Sequence, residues 1–141
     1  MANIIPDAFK SELLSGTHNF ANGGNTFKIA LFTDISGYST SSTAYSTSNE
    51  VSSSGTNYSA GGNALDSQAV SVASNTALVD FADEVFSSVT LSAVGAVIYN
   101  DTNGDKLVVV LDFGGTKTAT NGDFTIQFPA AGASTAIIRI A

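Results

Sequence analysis

A few groups of side chains have the types and spacing to do chemistry. Asp101, Asn103 and Asp105 stand at alternate positions, as the first ligands of a calcium loop do, and Asp112 stands where the closing ligand would fall. Such a loop needs glycine where Lys106 stands, and 107–111 is an unbroken aliphatic run, so the segment reads as a hairpin turn entering a strand. Asp112-Phe113-Gly114 copies the metal-binding triplet of protein kinases, but without the glycine-rich loop, lysine motif and catalytic loop that give it meaning. Asp80, Asp83 and Glu84 form the densest acidic group, and paired carboxylates act as general acid and base when a cleft holds them. No base, oxyanion donor or aromatic sugar platform accompanies them, and a solvated turn is the simpler reading. His18, the single histidine, has no serine or cysteine nucleophile in a recognisable motif; beside a helix end, the dipole favours its charged form. The pairs Gly23-Gly24, Gly61-Gly62 and Gly114-Gly115 fit no phosphate-cradling pattern and read as turns. The expectation is a protein without catalytic residues, metal or cofactor, and not an enzyme.

Composition supports a binding or structural role. The 141 residues are 43% hydrophobic, enough for a core, but only 12% charged, where about 25% is usual. Ser (19) and Thr (15) fill the polar surface instead. Net charge is −7, and the basic residues Lys10, Lys28, Lys106, Lys117 and Arg139 are scattered, which argues against a nucleic-acid surface. With no cysteine, disulfides, thiolate-held zinc and thiol catalysis are excluded together. No apolar run approaches the roughly 18 residues of a membrane span, and the start of the chain lacks the pattern of an export signal. The expectation is a chain made in the cytoplasm, with the sequons at Asn57 and Asn100 as chance matches.

The elements that would position these residues are mostly strands in one domain, 1–141. A short amphipathic helix lies within 1–16, with Pro6 near its first turn, Phe9 and Leu13 four apart, and Gly16 after its end. Segment 26–33 follows as the first strand, Phe27, Ile29 and Leu31 alternating with Thr26, Lys28 and Ala30. From 36 to 63 the chain holds ten Ser, four Thr and four Gly without a regular period, which reads as a long loop or extended arm. Tyr38, Tyr45 and Tyr58 fall there, and spaced aromatics favour an ordered arm lying on a neighbour or on its own sheet. Further strands are predicted over 69–73, 77–81, 88–91, 93–99, 106–113, 123–128 and 136–140. Asn103-Gly104 marks one hairpin, and Gly114-Gly115 with Asn121-Gly122 punctuate the next. The aliphatic runs 94–98 and 107–111 read as strands covered on both faces. The fold class is all-β: an antiparallel β-sandwich or jelly roll with a short N-terminal helix.

A longer pattern runs from 29 to 140. Ala44-Tyr45, Glu50-Val51, Gly55, Tyr58, Ala60-Gly61-Gly62 and Leu65 are followed by Val97-Ile98-Tyr99-Asn100-Asp101, Leu111-Asp112-Phe113-Gly114 and Asn121-Gly122-Asp123-Phe124-Thr125-Ile126. This resembles a group of small virion proteins of tailed bacteriophages, most closely the capsid decoration (cement) proteins. The resemblance implies a structural role as a trimer on the outer capsid surface of the virion, bound to the major capsid protein, with no membrane or nucleic-acid partner. It carries no catalytic residues. An acidic chain suits the outside of a head better than an inner wall facing DNA. The contacts are expected from the helix, through Phe9 and Leu13, and from the arm, through Tyr38, Tyr45, Glu50, Val51 and Tyr58; the alternative is that the tyrosines pack on their own domain. A tail or fibre component, or receptor-binding module, would use the same architecture, and a small carbohydrate-binding domain is a further reading.

Overall fold

The computed structural model describes residues 3–141. Among these, one helix and seven strands form two antiparallel sheets, an all-β fold with a short N-terminal helix. Helix α1 (Asp7–Leu14) begins directly after Pro6, whose φ of −65° suits a helix entry, and carries Asp7 in its first turn. Gly16, at φ +79°, lets the chain leave it. Phe9 is buried, Leu13 packs partly against the core, and Leu14 is 89% exposed.

The larger sheet contains β1 (Phe27–Phe32), β2 (Asn63–Ala64), β5 (Glu84–Asn100) and β6 (Lys106–Ile126) in the order β2-β1-β5-β6. The smaller contains β3 (Ala69–Ala73), β4 (Thr76–Asp80) and β7 (Ile138–Ile140) in the order β3-β4-β7. Phe27, Ile29 and Leu31 of β1 share one core with Val79, Phe81 and Ile138, so the two sheets bury a common interior. Within it Phe20 stacks on Phe27 with ring centroids 4.3 Å apart, and Phe81 meets both edge-on. A second cluster, built on Ala30, Phe32, Val97, Tyr99, Leu107 and Val110, is closed by Ile35 and Tyr38 from the segment after β1. The middle of the larger sheet is thus covered on both faces, which is why its strands read as continuous aliphatic runs.

Two pairs of expected strands are single strands. Segments 88–91 and 93–99 both belong to β5, and 106–113 and most of 123–128 both belong to β6. Gly114-Gly115 and Asn121-Gly122 bulge β6 rather than turn it. The register jumps from Ala93↔Lys117 to Gly95↔Asp112, and from Leu91↔Ala119 to Val89↔Gly122. The Asn103-Gly104 hairpin is present between β5 and β6, but its left-handed residues are Gly104 (φ +66°) and Asp105 (φ +55°). Asn103 is held differently, its amide donating to the Thr17 carbonyl at 2.6 Å.

Irregular chain covers the edges of the larger sheet. Ile4 pairs with Val110 and Ala44 with Lys106 along the free side of β6, while Glu50 pairs with Phe32 on the free side of β1. The segment 36–63 therefore lies on its own sheet, and its last residue enters β2.

Candidate functional site

The densest polar constellation is built around Glu50. Backbone pairing on either side of it, Thr33 N–H to the Asn49 carbonyl and Val51 N–H to the Leu31 carbonyl, both at 2.9 Å, fixes its position beside β1. Its carboxylate accepts the Tyr45 hydroxyl at 2.5 Å, the Tyr58 hydroxyl at 2.7 Å and the Gly61 N–H at 2.6 Å. The Tyr58 oxygen in turn accepts Leu31 N–H at 3.0 Å, supplying the partner that β1 lacks between β2 and Val51. Tyr99 donates to the Gly61 carbonyl at 2.6 Å, and Tyr45 lies flat on its ring. Burial and the neighbouring Glu50 hold the hydroxyls of Tyr45 and Tyr58 well above the usual phenol range. Burial, with Asp101, Asp105 and Glu50 nearby, does the same for Tyr99. Neutral phenols donating to a carboxylate fasten the arm to the sheet.

Gly62 completes it by close approach. It sits at φ +77°, and a Cβ there would fall 1.8 Å from the Ile29 carbonyl oxygen.

The candidate interface residues are buried or partly buried: Phe9, Tyr38, Val51 and Tyr58 are buried, and Leu13, Tyr45 and Glu50 are partly buried. Tyr38 meets Phe32 edge-on and bonds to Ser46. The aromatics thus anchor the arm to its own sheet, the alternative that the sequence leaves open. Aromatic spacing signals that a loop packs; it does not signal on what.

The reading of His18 is corrected. Its ring is buried, and burial pushes its pKa below the ordinary value despite the hydrogen bond and charge of Glu12. Asn100, fully buried, donates to His18 Nδ1 at 3.0 Å, so Nε2 carries the proton directed at Glu12 Oε1, 3.3 Å away. Glu12 also pairs with Lys106 at 2.9 Å. The Asn100 side-chain oxygen accepts N–H groups of Thr102 and Asn103, so this cluster ties the N-terminal segment to the β5–β6 turn. The sequence marks Asn100 as part of a sequon and of the 97–101 piece of the pattern, and its place just before a turn suits this backbone-capping role.

The other acidic groups are dispersed. Asp83 accepts Phe128 N–H at 2.8 Å and Glu84 accepts the Asn63 amide at 2.9 Å. Asp101 pairs with Lys28 at 3.7 Å, and Asp112 accepts Gly114 N–H at 2.9 Å. Among the described residues no three His, Cys, Asp or Glu side chains converge as a metal would require, and no helix is long and apolar enough to cross a membrane.

One open groove of about 530 Å³ runs beside β6. Phe113, Phe124 and Phe128 form its apolar side, and Lys117, Asp123 and Gln127 lie among its polar residues. No protein-family model matches the chain, and no curated protein or solved structure matches it.

Proposed function

We propose that this protein is a structural component of a tailed-bacteriophage virion, a capsid decoration protein that binds the major capsid protein on the outer surface of the head. One observation supports this reading above the rest. Tyr45, Glu50, Tyr58, Gly61, Gly62 and Tyr99, separate pieces of the pattern that resembles such proteins, meet in the single fastening around Glu50. That part of the pattern therefore corresponds to one three-dimensional unit that holds an arm on a sheet. A rigid all-β domain with a hydroxyl-rich, weakly charged surface suits a part that contributes shape rather than chemistry. Its role would be to bury surface on more than one shell subunit at once, many weak contacts adding to stable attachment. The trimer implied by the resemblance belongs to the same proposal.

The test is the copy number of this chain relative to the major capsid protein in purified particles of the phage that encodes it, by quantitative mass spectrometry. Near parity, on the order of hundreds of copies, is expected from closed lattice symmetry. Absence from the particles overturns the reading. Particles lacking the protein should also lose heat or osmotic resistance, and equal robustness removes the cementing role.

The groove beside β6 favours a second reading, a tail or fibre module that binds a host surface, because it places phenylalanine rings next to charged and amide groups as glycan sites do. A handful of copies per particle, with cell binding lost in Phe113→Ala, would establish that alternative.

A further inference from the structure

Several strand edges among the described residues carry protecting features. On β6 the upper half is covered by Ile4 and Ala44, and the lower half carries Lys117, Asp123 and two bulges. The free side of β1 is occupied by β2 and by the residues flanking Glu50. Strand β7 is three residues long and carries Arg139. Strand β3 has none of these devices. It is AVSVA, paired to β4 without a register shift, and no charged residue or proline lies between Asp66 and Asp80. Its other side pairs with no strand among the described residues.

Its side chains extend an aliphatic surface. The register Val70↔Val79↔Ile138 and Val72↔Ala77↔Ile140 places six aliphatic residues on one face of the smaller sheet. Val79 and Ile138 are buried in the core, but Val70, Val72 and Ile140 are 54, 73 and 52% exposed. That face runs past the edge of the core into an apolar hollow of about 330 Å³ that Leu13, Phe20, Val70 and Ile140 help to line.

We propose that β3 pairs antiparallel with β3 of a second copy about a twofold axis at Ser71. In that register Val70 of each copy opposes Val72 of the other and Ser71 opposes Ser71. The strand is therefore its own complement, as an isologous contact requires. Two copies, each of charge −7, repel overall, and the uncharged stretch 67–79 is where a second copy approaches with least opposition. Pairing would continue the sheet from one copy into the other and bring the overhanging valines together. This contact does not depend on the virion reading and is distinct from the implied trimer, whose symmetry is threefold.

Sedimentation velocity on the purified chain tests it, together with a cross-link. The wild type is expected to form a dimer in the micromolar range, or a hexamer where the implied trimer also forms in solution. Val72→Lys, at an exposed position, should weaken the dimer by at least about tenfold while leaving thermal unfolding of the monomer in place. The chain has no cysteine, so Ser71→Cys should give a disulfide-linked dimer on mild oxidation, whereas Ser87→Cys, exposed on β5, should not. A monomer at hundreds of micromolar, an odd-numbered oligomer, or a dimer unaffected by Val72→Lys and not trapped by Ser71→Cys would each overturn the proposal.

Discussion

Tyr45 lies on Tyr99 with ring centroids 4.3 Å apart and planes 14° from parallel, one ring from the irregular arm and the other from the C-terminal end of β5. The stack sets the arm's height above the sheet, and the Glu50 carboxylate sets its position along it. Neither contact could do both. Packing alone leaves the arm free to slide, whereas hydrogen bonds alone leave the apolar face of the sheet wet.

The fastening should behave as a coupled unit. Glu50→Gln and Tyr58→Phe should each destabilise the protein by about 1–3 kcal/mol, because each leaves a partly buried polar group short of a partner. Their combination should cost less than the sum, and equilibrium urea unfolding of the four forms measures the difference. Strict additivity would mean the two groups do not act together.

Alkaline pH should release the arm. The phenol pKa values of Tyr45, Tyr58 and Tyr99 are raised in the folded state, so their contribution is fully present below the unfolded phenol value of about 10 and is lost as pH rises through the folded values. Ultraviolet titration of phenolate should show these tyrosines ionising together with loss of near-ultraviolet dichroism. Ionisation at about pH 10 with the fold intact would contradict the buried network.

The His18 cluster should weaken in acid. Its folded pKa lies below the unfolded value of about 6.5, so the stability it contributes is present above that pH and declines as pH falls through the folded value. Thermal unfolding between pH 7.5 and 5 should show this decline, and His18→Gln should flatten it over that window. A wild-type midpoint unchanged across the range would assign the cluster no such role.

The two kinds of left-handed glycine should separate sharply. Gly62→Ala forces a Cβ onto the backbone of β1 and should cost more than about 3 kcal/mol or unseat the arm, read as loss of protection of Leu31 and Val51 amides in hydrogen exchange. Gly104→Ala, at φ +66° with nothing within 4 Å of the added carbon, meets only backbone strain of about 1–2 kcal/mol.

Much of this was legible in the residues. The alternation of Phe27, Ile29 and Leu31 and the Asn103-Gly104 hairpin mark strands, and the runs 94–98 and 107–111 mark burial on both faces; β1 is also covered on both faces, through Ala30 and Phe32, which its alternation does not report. The bulges at Gly114-Gly115 and Asn121-Gly122 were not legible: a glycine pair permits a turn and a bulge equally, and the choice depends on whether the flanking strands stay paired to β5. Tyr38, Tyr45, Tyr58 and Glu50 were found as a group for a sound reason, their isolation in a serine-rich stretch. Which surface they pack on was not legible, since it depends on the shape of a surface assembled from β1 and β5. The burial of His18 is not legible either, because the groups that enclose it, Phe9, Phe20, Phe27 and Asn100, come together only in the fold.

The arm's composition has a practical side. No lysine or arginine lies between Lys28 and Lys106, so trypsin finds no cleavage site in the arm, in β3 or in β4, folded or unfolded. Limited digestion with that enzyme makes no cut within the arm itself, whatever the state of the Glu50 fastening. The fragment 29–106 also emerges as one long peptide, poorly suited to routine detection. Proteolytic probing of the arm therefore calls for an enzyme that cuts at aromatic residues, and counting the protein by tryptic peptides rests on 11–28, 107–117 and 118–139.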